Sequence, residues 1–311
     1  MKKLTELIEE YYRNPSMESL EKERQNLLFY LKITVFILIA VFLLLTASIQ
    51  MNENVFFLIF SVEISIFGLI YSLLTSGYRK KFKNKVVNSL VSVFSGDFEY
   101  IPTGKISPVK YDLSGLFLQH YDRYGGEDYV RGVMDGVKFE FSDIHTEYRT
   151  TDSKGKTHWQ TVFKGTFFVS EFNKKFKGRV LVYPDYSEKF LGSLANSFQK
   201  FYSHNLEFVK MDSPEFEKEF VVYSNDQILA RYVLSTALME KIMKFKKAIK
   251  KPIYFSFKNN MMFVAISGNN NFEAPVFRSL NDYGFAEEMI GGFYYISTLI
   301  KTLSIERNIW N

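Results

Sequence analysis

Two long apolar runs near the N-terminus constrain this chain more than any other feature. They cover residues 27–49 and 55–74 and are separated by the short polar stretch 50–54. An α-helix rises about 1.5 Å per residue, so each run is long enough to cross the roughly 30 Å hydrocarbon core of a bilayer. Both runs are apolar on all sides, unlike helices that bury one face on a soluble core. The sequence therefore predicts a transmembrane helical hairpin.

The second run carries one carboxylate, Glu63, near its middle. A central charge costs about 2.5–3.5 kcal/mol on insertion scales, whereas each large aliphatic residue contributes about −0.3 to −0.6 kcal/mol, so the run remains a predicted span. Two interpretations of Glu63 stay open. It is a functional intramembrane polar site for an ion, a proton or another membrane protein, or it is a neutral carboxyl bonded to a neighbour such as Thr46 or Ser48.

Basic residues flank both outer ends of the hairpin, and the connecting stretch has none. The cluster after the second run consists of Arg79, Lys80, Lys81, Lys83 and Lys85. The positive-inside rule then predicts a multi-pass protein of the cell inner (cytoplasmic) membrane with both termini in the cytoplasm. The cluster itself is interpreted either as an ordinary topogenic signal or as a site for lipid headgroups.

Composition narrows the possible partners and chemistry. Aromatic residues make up 17% of the chain, which indicates an ordered region after the hairpin. There are no cysteines, so disulfides, thiol catalysis and cysteine metal sites are excluded. The net charge of +5 is modest, and the basic residues cluster beside the predicted spans, which favours anionic lipid over nucleic acid. The expected partners are the lipid bilayer and another membrane or membrane-associated protein, with no nucleic acid and no cofactor.

The chain divides into four predicted regions, and the fold class is α+β. Pro15 splits the first region into two helical pieces, and Ser16 is the expected cap of the second piece. The regions are a charged helical leader at 1–26, the transmembrane hairpin at 27–76, a basic juxtamembrane helix at 78–95 and a cytoplasmic α+β domain at 96–311. A second interpretation divides the last region into two subdomains that meet near residues 183–213.

Alternating apolar residues around Asp135-Gly136 predict a β-hairpin, the start of a meander of three or four antiparallel strands. Further strands are expected at 158–169, 179–183, 206–211, 220–223, 253–257 and 261–266. Helices are expected to start at Ser187 and Ser213 and to cover 227–250, with a break near Ser235, and 286–303.

The chain contains few candidate catalytic or metal-binding residues. His145 and Glu147 would share one face of a strand, and His158 lies on the next predicted strand, so a zinc site would require these three side chains to meet. Asp128 is a further acidic candidate in the first hairpin region. The chain has no His-Glu-x-x-His pair and no Gly-x-Ser-x-Gly motif. We therefore assign neither a catalytic residue nor a metal ligand, and the balance favours a protein that is not an enzyme.

Three stretches of the region after the hairpin carry a family resemblance. They are residues 117–132, with Phe117, Tyr121 and the run Gly126 to Gly132, residues 163–174, and residues 213–232, which begin Ser213-Pro214-Glu215. Together with the two spans they resemble a bacterial family catalogued as domain of unknown function 3137. The resemblance implies a two-span membrane protein with a cytoplasmic domain, and it implies no catalytic residues.

Three functional hypotheses follow. The leading one is a membrane-tethered module that binds another protein. The second is a membrane-proximal hydrolase or metal-dependent enzyme that uses His145, Glu147, His158 and Asp128. The third is an accessory subunit of a transporter that uses Glu63.

Overall fold

The computed structural model forms two compact units. One comprises Met1–Leu90 with Phe272–Ile290, and the other comprises Val91–Asn271 with Gly291–Asn311. We call them the helical unit and the sheet unit. The structure describes residues 4–48, 53–87, 97–134, 136–172, 174, 176–185, 206–268, 273–291, 294, 297, 298 and 301.

Three helices form most of the helical unit. They are α1 (Leu4–Arg13), α2 (Pro15–Ser48) and α3 (Glu53–Phe82), and a π-helical turn, Lys83–Val87, follows α3. Both α2 and α3 are long and apolar enough to cross a membrane. Their apolar side chains point mainly outward: Phe36 is 74% exposed and Leu44 is 67% exposed. This distribution differs from that of a core helix, which buries its apolar residues.

The leader continues directly into the first apolar run, because α2 begins at Pro15 and ends at Ser48. The predicted cap was wrong: Ser16 lies inside α2, and its backbone N–H donates to the Asn14 side chain at 2.9 Å. Asn14 is the residue before the first-turn proline, which is where a capping side chain belongs. The basic juxtamembrane helix predicted at 78–95 becomes π-helical at Lys83, and positions 88–96 lie outside the described residues.

Residues 273–290 pack against α2 and α3, and we call them the return segment. Helical structure covers 283–291. The Tyr78 hydroxyl donates to the Pro275 carbonyl at 3.1 Å, and the rings of Phe82 and Phe285 lie 6.2 Å apart. Phe82 is fully buried. The return segment is thus packed on the part of α3 that follows its apolar run.

An ion pair within α2 forms hydrogen bonds with the return segment. The Arg24 guanidinium donates to both carboxylate oxygens of Glu21, at 2.8 and 2.7 Å. Glu21 also accepts from the Leu280 backbone N–H at 3.0 Å and the Ser279 hydroxyl at 3.1 Å, while Arg24 donates to the Val276 carbonyl at 3.0 Å. Both side chains are 7% exposed. A charge pair buried this deeply is stable because hydrogen bonds satisfy its remaining polar atoms.

The sheet unit contains one nine-stranded antiparallel sheet. Its strands are β1 (Asp97–Ile101), β2 (Arg123–Met134), β3 (Val137–Thr151), β4 (Thr157–Glu171), β5 (Arg179–Pro184), β6 (Glu207–Val209), β7 (Phe220–Ser224), β8 (Ile253–Lys258) and β9 (Met261–Ser267). Their order across the sheet is β1-β2-β3-β4-β9-β8-β5-β7-β6. Strands on both sides of residues 183–213 therefore belong to the same sheet.

Within the part of the sheet unit that the structure describes, four short helices accompany the strands. They are α4 (Pro108–Ser114), α5 (Pro214–Glu217), α6 (Gln227–Val233) and α7 (Thr236–Ile249). On one face of the sheet, Tyr111 of α4 packs against Phe167 and Phe163, inside a cluster of buried aromatic and aliphatic residues. On the other face, Phe245 of α7 packs against Phe255 of β8.

Most of the predicted elements are confirmed, and the α+β class with them. The predicted hairpin between β2 and β3 is present, since Met134 pairs with Val137, and the break near Ser235 separates α6 from α7. Asn259 and Asn260 both have positive φ in the tight turn between β8 and β9, a conformation that asparagine tolerates well. The helix predicted from Ser187 and most of the last predicted helix beyond 291 lie outside the described residues.

The meander that starts at the β2–β3 hairpin has the smaller of the two predicted numbers of strands, because β5 does not pair with β4. The strands β1 to β4 are neighbours in chain order, but β4 then pairs with β9, and β5 pairs with β8 and β7. Gly165 permits this arrangement, because a side chain at that position would collide with the Ile266 carbonyl of β9. Local alternation predicts a strand but not its neighbour, so the insertion of the β8–β9 hairpin was missed.

Candidate binding site

A cavity of about 780 Å³ opens at one end of the sheet unit, where α4 lies beside strands β1 to β4 and the start of β9. The charged residues that line it are Glu99, Lys110, Arg131, Lys138, Glu140 and Glu171. Three of them are basic and three are acidic. No histidine is among the described residues that line the cavity.

Strand register places several of these charges in one row. Glu99 of β1 pairs with Arg131 of β2, which pairs with Glu140 of β3, which in turn pairs with Val169 of β4. Directly paired residues of neighbouring strands point to the same face of a sheet. The Arg131 guanidinium donates to Glu99 at 2.5 Å, and this hydrogen bond raises the pKa of Arg131. At the rim, the Lys138 amine lies 3.7 Å from Glu171.

Helix α4 contributes the remaining charge and exists for local reasons. The Ser107 side chain accepts the Lys110 N–H as its N-cap, Pro108 occupies the first turn, and Gly115 ends the helix with φ of 61°. Lys110 therefore faces Glu140 and forms an ion pair with it. The Tyr129 hydroxyl donates to the same carboxylate at 2.7 Å. Burial, followed by this hydrogen bond, raises the pKa of Tyr129 to about 12.

This arrangement is chemically suited to recognition. Glu99 and Arg131 are half exposed, so solvent or a partner can compete for their hydrogen bonds. Glu140 is held by two donors and is only 11% exposed at its side chain, so it serves as the fixed anionic part of the wall. The cavity presents charges of both signs next to apolar Val133 and Met261. Such a mixed lining is typical of a binding surface.

The candidate zinc trio does not come together. His145 lies 3.9 Å from Glu147 and shares a 3.2 Å hydrogen bond with the Thr161 hydroxyl. His158 pairs across the strands with Thr150, five positions farther along β3 than His145, and contacts Asp152 at 3.1 Å. A strand rises about 3.3 Å per residue, so His158 lies roughly 16 Å away along the strand. The described residues contain no group of three or more His, Asp or Glu that could hold a metal ion.

Asp128 has a structural setting. It lies at a register shift in β2, has φ of 60° and is completely buried. The Tyr100 hydroxyl donates to its carboxylate at 2.6 Å, and its own N–H donates to the Pro102 carbonyl. Burial, and then the neighbouring Asp128 charge, raise the pKa of Tyr100. Asp128 therefore joins β1 to β2 at a point remote from the exposed histidine His158.

The residues predicted for lipid contact end α3 and begin the turn after it. Lys80 and Lys81 are exposed, and the Lys81 amine lies 3.1 Å from both carboxylate oxygens of Glu23 on α2. Arg79 is half-buried, and its Nε has no hydrogen-bond partner. Lys83 and Lys85 lie in the π-helical turn.

Glu63 lies in α3, and one of its carboxylate oxygens, Oε1, is buried without a hydrogen-bond partner. Thr46, one of its two predicted partners, instead donates to the Leu43 carbonyl at 2.9 Å. The side chain of Ser48 lies outside what the structure describes.

Sequence reasoning missed the cavity. Its charges lie on four strands and one helix, and their proximity depends on strand register rather than spacing along the chain. A usable signal was present for α4: Ser107-Pro108 is the same capping pair that correctly predicted α5 at Ser213-Pro214.

The fold and the site define a class: an α+β protein with an N-terminal pair of long apolar helices and a nine-stranded antiparallel sheet. Residues 161–305 match the family described as "Protein of unknown function (DUF3137)", so the predicted family resemblance is confirmed for this region. No curated protein matches the chain. A solved structure titled "crystal structure of the mycobacterial trehalose monomycolate transport factor A, TtfA" is 11% identical with a TM-score of 0.32, over 69% of this chain and 92% of that chain. A similarity this low carries no functional argument.

Proposed function

We propose that this chain is an integral membrane protein that uses its sheet unit to bind another protein at the cytoplasmic face of the membrane. In this proposal α2 and α3 form the transmembrane hairpin, and both termini are cytoplasmic. The outward-facing apolar residues of both helices support the membrane location. The basic residues after the apolar part of α3 support the orientation, since such residues favour the cytoplasmic side.

The observation that carries the binding function is the cavity beside β1. Among the described strands, β1 has a single neighbour, β2, so its other edge is available for pairing. An extended segment of a partner can add to such an edge through backbone hydrogen bonds, while its side chains enter neighbouring pockets. Glu99 on β1 and Arg131 beside it would then meet charged side chains of that segment.

Site-specific photo-crosslinking in intact membranes tests this proposal. A photo-reactive amino acid at Val133, which lines the cavity and is 39% exposed, should capture a partner in stoichiometric amount. The matched control is Trp159, which is 37% exposed on β4 and does not line the cavity. Equal capture at both positions, or capture only of a second copy of this chain, would contradict the proposal.

Charge reversal sharpens the same experiment. Arg131→Glu should greatly reduce partner capture, because it places two acidic side chains opposite each other at the cavity wall. Combining it with Glu99→Arg restores an ion pair in the opposite direction, so the repulsion is removed while partner capture stays low. Full recovery of capture in the double variant would show that the partner does not read these charges.

A second candidate function rests on Glu63. An unpartnered carboxylate oxygen within a predicted span is costly, and such groups commonly mark ion or proton paths or contacts with other membrane proteins. The chain would then act as an accessory subunit of a transporter. Glu63→Gln should impair the transport activity of cells while membrane insertion stays intact, with Ser61→Ala on the same helix as the control. An unchanged transport phenotype would exclude this role.

A further inference from the structure

Phe277 is the most exposed apolar side chain of the return segment, and its ring contacts one other aromatic ring. Its ring stacks on Tyr71 of α3, with centroids 6.3 Å apart and an angle of 9° between the planes. The ring is nevertheless 75% exposed, whereas its neighbours Ala274 and Val276 are each 5% exposed. The segment therefore buries Ala274 and Val276 and presents Phe277 outward.

The contacts along α3 give the position of this ring. Pro275 lies beside Tyr78, whose hydroxyl it binds, and Phe277 lies beside Tyr71. Tyr71 and Tyr78 are seven residues apart, or roughly 10 Å along a helix axis. The return segment therefore runs up α3 in the direction of its apolar part, and Tyr71 lies inside the predicted span at 55–74.

The charged side chain of the next residue, Arg278, forms ion pairs within the return segment. Its guanidinium lies 3.0 Å from Asp282 and 3.4 Å from Glu288. An exposed apolar ring, followed at once by a charged residue that is paired within the same segment, resembles the arrangement of an interfacial membrane anchor.

We infer that Phe277 inserts into the lipid at the level of Tyr71, so that the return segment is a third contact between this protein and the bilayer. This inference rests on the proposed membrane location of α3. Lipid is the expected occupant because Tyr71 lies inside the predicted span, and Leu73, about 3 Å farther along the helix axis on another side of α3, is 67% exposed at nearly the same depth. The return segment has no long apolar run, so its membrane contact depends on the fold.

The absence of native cysteine allows a direct test on the full chain. Single variants Phe277→Cys, Leu73→Cys and Val109→Cys are each spin-labelled and reconstituted in phosphatidylcholine–phosphatidylglycerol vesicles. Val109 is 76% exposed on α4 and serves as the aqueous reference. Collision with oxygen reports lipid, and collision with a water-soluble nickel chelate reports water. The label at position 277 should prefer oxygen, as at position 73, while position 109 should prefer nickel.

These measurements test the membrane location of α3 separately from the lipid contact of Phe277. If positions 277 and 109 behave alike while position 73 prefers oxygen, the span stands and the inference about Phe277 is overturned. If position 73 also prefers nickel, the proposed membrane location fails and the inference fails with it. Phe277→Trp, which retains an aromatic ring, provides a second readout. Brominated lipid should quench its added fluorescence, above the background of the two native tryptophans, more than that of Val109→Trp. Equal quenching would overturn the inference.

Discussion

One ion pair from each unit shows the contrast between a buried and an exposed pair of charges. In the helical unit, Glu21 and Arg24 are buried, and their hydrogen bonds join α2 to itself and to the return segment. In the sheet unit, Glu99 and Arg131 form a similarly short pair, but their side chains are 50% and 58% exposed. Breaking a buried pair leaves an uncompensated charge, whereas water replaces the contacts of an exposed pair at little cost. The first arrangement fixes a segment, and the second remains available to a partner.

The largest expected effect is the loss of the buried pair. Glu21→Gln leaves the Arg24 guanidinium buried without a counter-charge and should destabilise the helical unit by about 3 kcal/mol. Thermal unfolding in detergent micelles, with hydrogen exchange of residues 273–290, measures this loss. Glu18→Gln is the matched control, because Glu18 pairs with Lys22 one turn away on the exposed side of α2 and its loss should change little. Equal effects of the two changes would show that burial does not distinguish the pairs.

Acid should release the same contact. The hydrogen bond from Arg24 lowers the pKa of Glu21 to about 2. Because this pKa is below the value of about 4.3 in an unfolded chain, the stabilisation is complete above pH ~4.3 and is lost as pH falls toward ~2. The melting temperature should therefore decline across that window in the native chain. The decline should be shallower in Glu21→Gln, and identical slopes would contradict the assignment.

An intermediate effect is expected at Glu140, which is the least exposed charge of the cavity pairs. Glu140→Gln weakens the ion pair with Lys110 and the hydrogen bond from Tyr129, and it should cost about 1 kcal/mol of stability. The change is measured by denaturant unfolding monitored by circular dichroism. Glu171→Gln, at the exposed rim and 3.7 Å from Lys138, is the control and should cost less. A larger loss of stability in Glu171→Gln than in Glu140→Gln would show that Glu140 is not the fixed part of the cavity wall.

The smallest expected effect on stability is at Arg131. Arg131→Gln should leave the melting temperature almost unchanged, because the guanidinium is exposed and water replaces its contact with Glu99. The same variant should reduce partner capture from membranes. A large fall in melting temperature would show that this pair is structural, and the contrast between the two units would then fail.

Elements with a strong local signal could be predicted from the sequence. The apolar runs, the hairpin between β2 and β3 and the Ser213-Pro214 cap each act through neighbouring residues, and each was found. The position of β9 between β4 and β8 was not predictable in this way, because many apolar strands offer similar partners.

The return segment shows a second limit. Residues 274–280 form a short apolar stretch that is interrupted by Pro275 and Arg278 and has no regular helical or strand period, so they read as a loop. Their role depends on Glu21, which lies more than 250 positions earlier and looks like one more charge of a polar leader. For the same reason the candidate cavity was missed, while the histidines that sequence spacing favoured lie apart from one another.

The place of β9 in the sheet has a consequence for synthesis. Strand β4 is completed about a hundred residues before the strand that covers its edge, and a ribosome adds roughly 5–20 residues per second. During that interval the chain from β1 to β4 carries an open edge that includes Phe167 and Phe168. Such edges attract other strands. In the proposed membrane arrangement, α2 and α3 are synthesised first, and their insertion would separate nascent chains on the membrane until β9 covers this edge.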